Sequence, residues 1–120
     1  MNKKTVVIGA SAKTDRYSNR AVRMLRKHHH DTVALGFEQE TIDETPIETD
    51  WKNHDAVDTV TLYLNPQRQK QYYDYILGLH PKRIIFNPGT ENPELEKLAE
   101  QNNIQPLEAC TLVLLSTGQY

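Results

Sequence analysis

The sequence predicts an α/β fold: a doubly wound sheet of about five mostly parallel strands, with helices on both faces. Three observations support this prediction. Short apolar runs recur along the chain, and stretches with helical spacing of apolar residues separate them. Strands that alternate with helices form βαβ units, whose right-handed crossovers build a parallel sheet. Glycine and asparagine follow several of the apolar runs, which is typical of ligand-binding loops at the carboxyl ends of strands.

The composition indicates one ordinary globular domain over residues 1–120. Charged residues make up 25% of the chain, hydrophobic residues 38%, and the formal net charge is −2. No basic field therefore favours nucleic acid as a partner. No apolar stretch approaches the ~18 residues of a membrane span, and no signal peptide is expected. The single cysteine, Cys110, cannot form an internal disulfide, so a reducing, cytoplasmic setting is expected.

The first elements are predicted to be a strand, a tight turn and a helix. Residues 6–8 are apolar and β-branched and form the strand, and residues 9–11 form a glycine turn. The helix runs from about residue 19 to residue 29, with Ser18 or Asn19 as its N-cap.

The middle of the chain is predicted to contain two further strands and a second helix. Residues 32–37 form the second strand, and the polar segment 38–54 is a long connection with space for a small strand or one turn of helix. Residues 55–64 contain the third strand. Asn65-Pro66 has the pattern of an N-cap followed by proline in the first helical turn, and Gly78 ends that helix.

The last part of the chain repeats this order. Residues 83–86 predict the fourth strand, and Asn92-Pro93 predicts the start of a helix with an apolar stripe. Residues 104–107 predict a short fifth strand. The apolar residues 111–115 fit either a last helical turn or an edge strand.

The glycine turn after the first strand is a candidate anion-binding site. In such a turn, backbone N–H groups and the positive end of the helix dipole point to one spot, which favours phosphate. Arg16 can pair with a phosphate through two hydrogen bonds, and Lys13 adds a second cation. Residues 36–38, 65–66 and 87–89 follow other strands and are expected at the same edge of the sheet.

Two familiar nucleotide motifs fit this loop poorly. The NAD fingerprint G-x-G-x-x-G keeps only its first glycine, Gly9, and the P-loop ending GK[ST] is absent. Glu38 lies near the end of the second strand, where an acid would bind the ribose of NAD. An NAD(P)-binding redox sensor or oxidoreductase-like domain therefore stays as an alternative.

The order of residues in the loop resembles a known family. Gly9-Ala10-Ser11, then Arg16, then Ser18-Asn19 at a helix start is similar to the stand-alone CoA-binding domain family. These are Rossmann-like proteins similar to the N-terminal domain of the succinyl-CoA synthetase α subunit. The resemblance covers nearly the whole chain. Its further positions are Asp58, Val60, Asn65-Pro66, Gly89, the helix 92–99 and Cys110.

The resemblance implies a small binding or regulatory protein that holds coenzyme A or an acyl-CoA and has no catalytic residues of its own. The pyrophosphate would contact the glycine turn, Arg16 and Lys13. Asn65-Pro66 and Gly89 would form walls along the adenosine or the pantetheine. The implied cofactor-binding residues are Gly9, Ala10, Ser11, Lys13, Arg16, Ser18, Asn19, Asn65, Pro66, Gly89 and Cys110.

The chain departs from the family pattern at positions that bear on CoA. Leu64 and Ala109 stand where the family commonly has arginine, and residues 34–37 replace its proline-containing segment. A scaffold that keeps the fold without a ligand is therefore a second alternative. The partner is left open between a second copy of the chain and a separately encoded enzyme, the latter implied by the resemblance.

Two other features have a catalytic or metal interpretation that we do not adopt. His28, His29 and His30 are adjacent on a helix, so their side chains point in different directions and do not converge on one ion. Cys110 has no base near it in sequence, so we interpret it as a partly buried residue that lines the pocket. No metal site is expected.

Overall fold

The computed structural model describes residues 2–120, which form seven strands and five α-helices. The strands are β1 (Thr5–Ala10), β2 (Thr32–Gly36), β3 (Thr41–Ile42), β4 (Thr45–Glu48), β5 (Thr59–Leu62), β6 (Arg83–Phe86) and β7 (Gln105–Glu108). The helices are α1 (Tyr17–Lys27), α2 (Pro66–Gln69), α3 (Tyr73–Gly78), α4 (Pro93–Gln101) and α5 (Thr111–Ser116). A 3₁₀ turn, Lys70–Tyr72, joins α2 to α3.

The strands form one sheet in the order β3-β4-β2-β1-β5-β6-β7. Every neighbouring pair is parallel except β3 and β4. From the central β1 the chain first builds outward through β2, and it then returns to β1's other side with β5. The topological switch therefore lies between β1 and its two neighbours, and the predicted doubly wound α/β fold is confirmed.

The predicted number of strands, about five, is corrected to seven. The two additional strands are the hairpin β3–β4 within the connection 38–54, and β4 pairs with β2 at Ala34 and Ile47. Ile42 and Ile47 are buried beneath this edge of the sheet. The hairpin has only two such apolar anchors among polar residues, so no apolar run marked it in the sequence.

Two apolar cores lie on the two faces of the sheet. The larger packs α3 and α4 against side chains such as Ile8, Leu62 and Phe86, all fully buried. The smaller packs α1 and α5 through Leu25 and Leu115. Each fully buried leucine or isoleucine contributes about 1.5–3 kcal/mol relative to an exposed one. Helices therefore cover both faces, as predicted.

Helix starts at the carboxyl edge follow the predicted asparagine-proline pattern. The Asn65 side chain accepts a hydrogen bond from the Arg68 N–H at 2.9 Å, and Asn92 accepts one from Leu95 at 3.2 Å. The single helix predicted over residues 66–78 is instead interrupted, because Tyr72 leaves helical geometry at φ −112° and ψ 7°. Residues 111–116 form a helix, which decides between the two predicted alternatives.

No helix within residues 2–120 has the length and apolar character that crossing a bilayer requires. The longest, α1, has 11 residues, whereas a span needs about 20.

Candidate functional site

A cavity of about 640 Å³ opens at the carboxyl edge of the sheet, at the topological switch. Its volume lies within the range of about 300–1,000 Å³ that is usual for small-molecule sites. The wall is built by the segments that follow β1, β2, β5 and β6. The lining residues are Gly9, Ala10, Ser11, Ala12, Lys13, Arg16, Tyr17, Ser18, Phe37, Glu38, Tyr63, Leu64, Asn65, Arg68, Pro88, Gly89 and Thr90.

Gly9 shapes the floor of the cavity. Its φ of +97° lies in the region that favours glycine, and the register between β1 and β2 shifts at this point. A Cβ here would lie 3.1 Å from both the Leu64 Cδ2 and the Tyr63 carbonyl carbon. The turn after β1 therefore packs directly against the chain leaving β5, and a larger residue would separate these two walls.

The turn after Gly9 offers unpaired donors and cations to the cavity. Within the described part of the chain, neither the Ser11 nor the Ala12 N–H donates a hydrogen bond to another residue. Lys13 and Arg16 are exposed, and neither forms an ion pair with a described residue. Free N–H groups and free cations facing one cavity are the groups that an anionic ligand needs.

The predicted N-cap at Ser18 or Asn19 is wrong. Helix α1 begins at Tyr17, and the N-cap position is Arg16, whose side chain makes no capping hydrogen bond. The first helical N–H groups are consequently not satisfied by a side-chain cap, which suits an anion at this helix start. Ser18 lines the cavity although it is largely buried.

Asn19 supports the turn from behind and does not line the cavity. It is buried, and its Nδ2 donates to the Ser11 carbonyl at 2.9 Å. Its Oδ1 accepts from the Arg23 Nε at 2.7 Å, and the Arg23 guanidinium also pairs with Asp43 of the hairpin at 3.2 Å. Asn19 thus links the turn to the outer hairpin, and its contacts fit a positioning role.

An aromatic cluster with one arginine forms the wall beyond β2. The Phe37 ring lines the cavity and is 46% exposed. The Arg68 guanidinium carbon lies 4.6 Å from its ring centre, within cation–π range. Trp51 and Tyr72 pack behind Phe37 with ring centres 5.6 and 6.2 Å away. Phe37 belongs to the segment 36–38 that was predicted at this edge, although not as a binding residue. Arg68 was not predicted at the site, and its signal in the sequence is a cation in the first turn after Asn65-Pro66.

The opposite wall is held by a buried amide. Gln69 is fully buried, and its Nε2 donates to the Leu64 carbonyl at 2.8 Å and to the Thr90 carbonyl at 2.9 Å. Its Oε1 accepts from the Asn92 Nδ2 at 2.8 Å. Leu64 and Thr90 both line the cavity, so one side chain fixes the separation between two of its walls.

The loop after β6 also contributes a backbone N–H at the cavity, that of Gly89, but this group already donates a hydrogen bond within the loop. Gly89 has a φ of +91°, and its N–H donates to the Glu91 carboxylate at 2.8 Å. Below it, the Asn87 Nδ2 donates to Thr61 at 2.6 Å, and the Thr111 N–H donates to the Asn87 Oδ1 at 2.9 Å. Asn87 therefore joins β5, β6 and the start of α5 beneath the site.

Three predicted site residues are not brought to the cavity. These are Asn19, Pro66 and Cys110. Pro66 lines a separate cleft between α2 and the start of α4. Cys110 is half-buried at the N-cap position of α5. The other eight predicted residues line the cavity together.

Tyr63, which was not among the predicted site residues, lies between the cavity and the base of α5. The residue forms part of the cavity wall, and its hydroxyl is buried beside Thr61 and Thr111. Burial raises the pKa of this hydroxyl well above its ordinary value.

The three histidines His28, His29 and His30 directly follow the last residue of α1. The helix ends at Lys27, and the His30 Nδ1 accepts a hydrogen bond from the Lys3 N–H at 2.9 Å. Burial lowers the pKa of His30. Across residues 2–120, no three His, Cys, Asp or Glu side chains are grouped so that they could hold a metal ion.

Sequence comparison gives one family and no curated relative. A family model described as a CoA binding domain matches residues 3–116. No curated protein matches the chain.

Comparison with solved structures gives close matches over the full fold. A crystal structure described as an uncharacterized protein has 45% sequence identity and a TM-score of 0.97, covering 100% of this chain and 99% of its own. A hypothetical protein from Pyrococcus horikoshii OT3 has 21% identity and a TM-score of 0.85, with 97% of this chain and 83% of its own covered. A Thermus thermophilus structure, cell-free ID.343, has 19% identity and a TM-score of 0.83, with 99% and 91% covered. The last two show the fold alone.

Proposed function

The chain belongs to the CoA-binding domain family, and from this membership we propose that it binds coenzyme A or an acyl-CoA in the cavity at the carboxyl edge of the sheet. The observation that carries the proposal is the turn after β1. It presents the free N–H groups of Ser11 and Ala12 beside two exposed, unpaired cations, Lys13 and Arg16, in the described part of the chain. These groups would receive the pyrophosphate, with Arg16 supplying paired, charge-assisted hydrogen bonds.

Arg68 offers a substitute for the arginine that the family commonly has at position 64, where this chain has leucine. Leu64 lines the cavity but is almost fully buried, and its apolar side chain offers a phosphate neither charge nor donor. Arg68 stands four residues further on and lines the same cavity. We propose that Arg68 supplies the cation that position 64 lacks, while Phe37 offers a ring surface to the ligand's base. Arg68 thereby weakens the main argument for a scaffold without a ligand.

One observation favours the second candidate, a nicotinamide nucleotide. Glu38 lines the cavity at the end of β2, where a carboxylate binds the ribose hydroxyls of NAD in dinucleotide-binding folds. The missing second and third glycines of the NAD fingerprint count against it. The second lets the backbone approach the pyrophosphate, and the third lets the helix pack closely on the strand. We therefore keep CoA as the ligand proposed first.

A thermal shift experiment separates the candidates. Melting temperature is measured with CoA, acetyl-CoA, NAD and NADH in turn, because a ligand that binds only the native state stabilises it by about 2.7 kcal/mol at 100 times its Kd. We expect CoA or acetyl-CoA to raise the melting temperature. A rise with NAD or NADH alone would support the second candidate, and no rise with any ligand would support the scaffold.

A charge-matched pair of variants tests the phosphate contact. Arg16→Ala removes a cation from the cavity, and Lys27→Ala removes one from the far end of the same helix. Loss of a charge-assisted hydrogen bond should weaken CoA binding by roughly 10- to 100-fold in Arg16→Ala. Lys27→Ala should bind like the unchanged protein. Equal affinities for CoA would show that Arg16 does not contact the phosphates.

We further propose that the protein binds its ligand without turning it over, in a reducing cytoplasm, and acts on a second copy of the chain or on a separate enzyme. The proposal follows from the family resemblance and from Cys110, the single cysteine, which has no partner for a disulfide. Acetyl-CoA incubated with the protein should release no more free thiol than acetyl-CoA alone. Catalytic release of CoA would contradict this proposal.

A further inference from the structure

A free carboxylate stands at one end of the cavity. Glu38 lies two residues beyond Gly36, and Gly36 pairs with Ala10 of β1. The carboxylate and the phosphate-binding turn are therefore neighbours at the same edge of the sheet. Among the described residues, Glu38 is exposed and makes no ion pair and no side-chain hydrogen bond.

The cations of the cavity do not neutralise Glu38. Lys13 and Arg16 belong to the turn after β1, where they face the place proposed for the pyrophosphate. Arg68, the third cation on the cavity wall, stacks its guanidinium on Phe37 and does not approach Glu38 within ion-pairing distance. A ligand group that reaches Glu38 thus meets a carboxylate that no described side chain pairs with directly.

A carboxylate at this position discriminates between two forms of the adenosine ribose. An unphosphorylated ribose presents two adjacent hydroxyl groups, which donate hydrogen bonds to a carboxylate. A ribose phosphate replaces one donor with a group of about −1.5 to −2 charge at pH 7 and repels the carboxylate. At a few ångströms in a solvent-facing site, such repulsion corresponds to about tenfold in a dissociation constant.

We propose that Glu38 selects a CoA-type ligand whose ribose carries no phosphate, so that dephospho-CoA binds more tightly than CoA itself. The inference rests on the proposed function, since it presumes a CoA-type ligand with its pyrophosphate at the turn after β1. It goes beyond that function because it names the form of the ligand and the residue that sets the preference.

Isothermal titration of the full chain with CoA and with dephospho-CoA tests the preference. We expect dephospho-CoA to bind about tenfold more tightly in moderate salt, and the ratio to shrink as salt screens the repulsion. Glu38→Gln should bring the two affinities close together, and Glu38→Lys should reverse their order. Glu40→Gln, an exposed carboxylate two residues away that is not on the cavity wall, should keep the original ratio.

The titrations distinguish a failure of this inference from a failure of the proposed function. If CoA binds as tightly as dephospho-CoA or more tightly, the inference is overturned and the proposed function stands. A preference for CoA that disappears in Arg68→Ala would assign the ribose phosphate to Arg68 and would also overturn it. If neither ligand binds, the proposed function and the inference fail together. Glu38 is exposed and makes no ion pair and no side-chain hydrogen bond in the described chain, so its variants should fold, and equal melting temperatures without ligand check this.

Discussion

At the scale of single residues, Gly9 combines two constraints that a side chain cannot meet together. Its φ is +97°, and a Cβ would approach the backbone of Tyr63 to 3.1 Å. The positive φ alone costs a non-glycine residue about 1–2 kcal/mol. The close contact adds to this cost, because the neighbouring atom belongs to the main chain and cannot rotate away. Gly9 therefore holds both the local conformation of the turn and its distance from β5.

The variant Gly9→Ala should lose more stability than Gly118→Ala, its matched control. Gly118 also has a positive φ, +72°, but a Cβ there meets no atom within 4 Å. Urea unfolding measures both variants, and CoA titration then measures the site. We expect Gly9→Ala to weaken CoA binding as well, while Gly118→Ala binds CoA normally. Equal losses of stability would show that the contact with Tyr63 relaxes without cost.

At the scale of elements, Gln69 joins α2 to the loop that precedes α4. Gln69→Leu keeps the side-chain volume similar but leaves the carbonyls of Leu64 and Thr90 without their donor. Each buried polar group left unpaired costs about 1–3 kcal/mol. We expect a clear loss of stability in urea, and weaker CoA binding because both carbonyls belong to cavity walls. Gln67→Leu, an exposed glutamine in the same helix, is the control and should change neither quantity appreciably.

Helix α4 should carry a pH-dependent term through Glu96. Burial, then the hydrogen bond and charge of Glu108 on β7, raises the pKa of Glu96 above its ordinary value. The folded protein therefore holds this proton more tightly than the unfolded chain does. Its stabilising contribution is fully present below the unfolded pKa and is lost as the pH rises through the folded pKa.

We expect Glu96→Gln to be more stable, relative to the unchanged protein, at pH 7 than at pH 4. The glutamine oxygen can still accept from the Asn92 N–H, which now donates to the Glu96 carboxylate at 3.2 Å. Unfolding free energies measured by urea at several pH values give the difference. Glu44→Gln, on the exposed hairpin, serves as the control. A difference that does not vary with pH would remove the proposed link between Glu96 and Glu108.

At the scale of the whole molecule, the sequence predicted the strands that are continuous apolar runs. The strand predicted over residues 83–86 has those bounds in the structure, and β1 and β2 differ by only a few residues. These strands are buried on both faces, so their composition alone marks them. The hairpin β3–β4 is anchored by Ile42 and Ile47 at one edge of the sheet. Two isolated apolar residues produce no periodic apolar pattern in the sequence, so the hairpin could not be predicted from it.

The site was predictable where one loop builds it and unpredictable where distant segments meet. The turn at residues 9–11 and Arg16 follow from a local pattern of strand, glycine and helix. Phe37 and Arg68 are 31 positions apart, and only the folded chain brings the residue after β2 next to the one in α2. Asparagine favours helix N-caps, so the sequence predicts that role for Asn19, but in the structure its amide donates to the Ser11 carbonyl.

The walls of the cavity come from both halves of the sheet, so a ligand that spans it should protect both halves from hydrogen exchange. The turn at residues 9–13 and the residues after β2 lie on one side of the switch, and residues 63–68 and 88–90 lie on the other. We expect CoA to slow amide exchange in all of these segments, and to leave the outer hairpin at residues 41–48 unchanged. Exchange measured by mass spectrometry reads each segment separately.

Inorganic pyrophosphate is the matched ligand, because it carries only the part of CoA proposed to bind the turn after β1. It should slow exchange in residues 9–13 alone. Protection by CoA confined to that same turn would mean that the adenosine and pantetheine remain in solvent, and that Phe37, Arg68 and the loop at Gly89 do not contact the ligand. Protection on both sides of the switch would instead require a ligand long enough to cross from β2 to β6. A cavity built from four loops favours the second result, since its lining residues surround one continuous space.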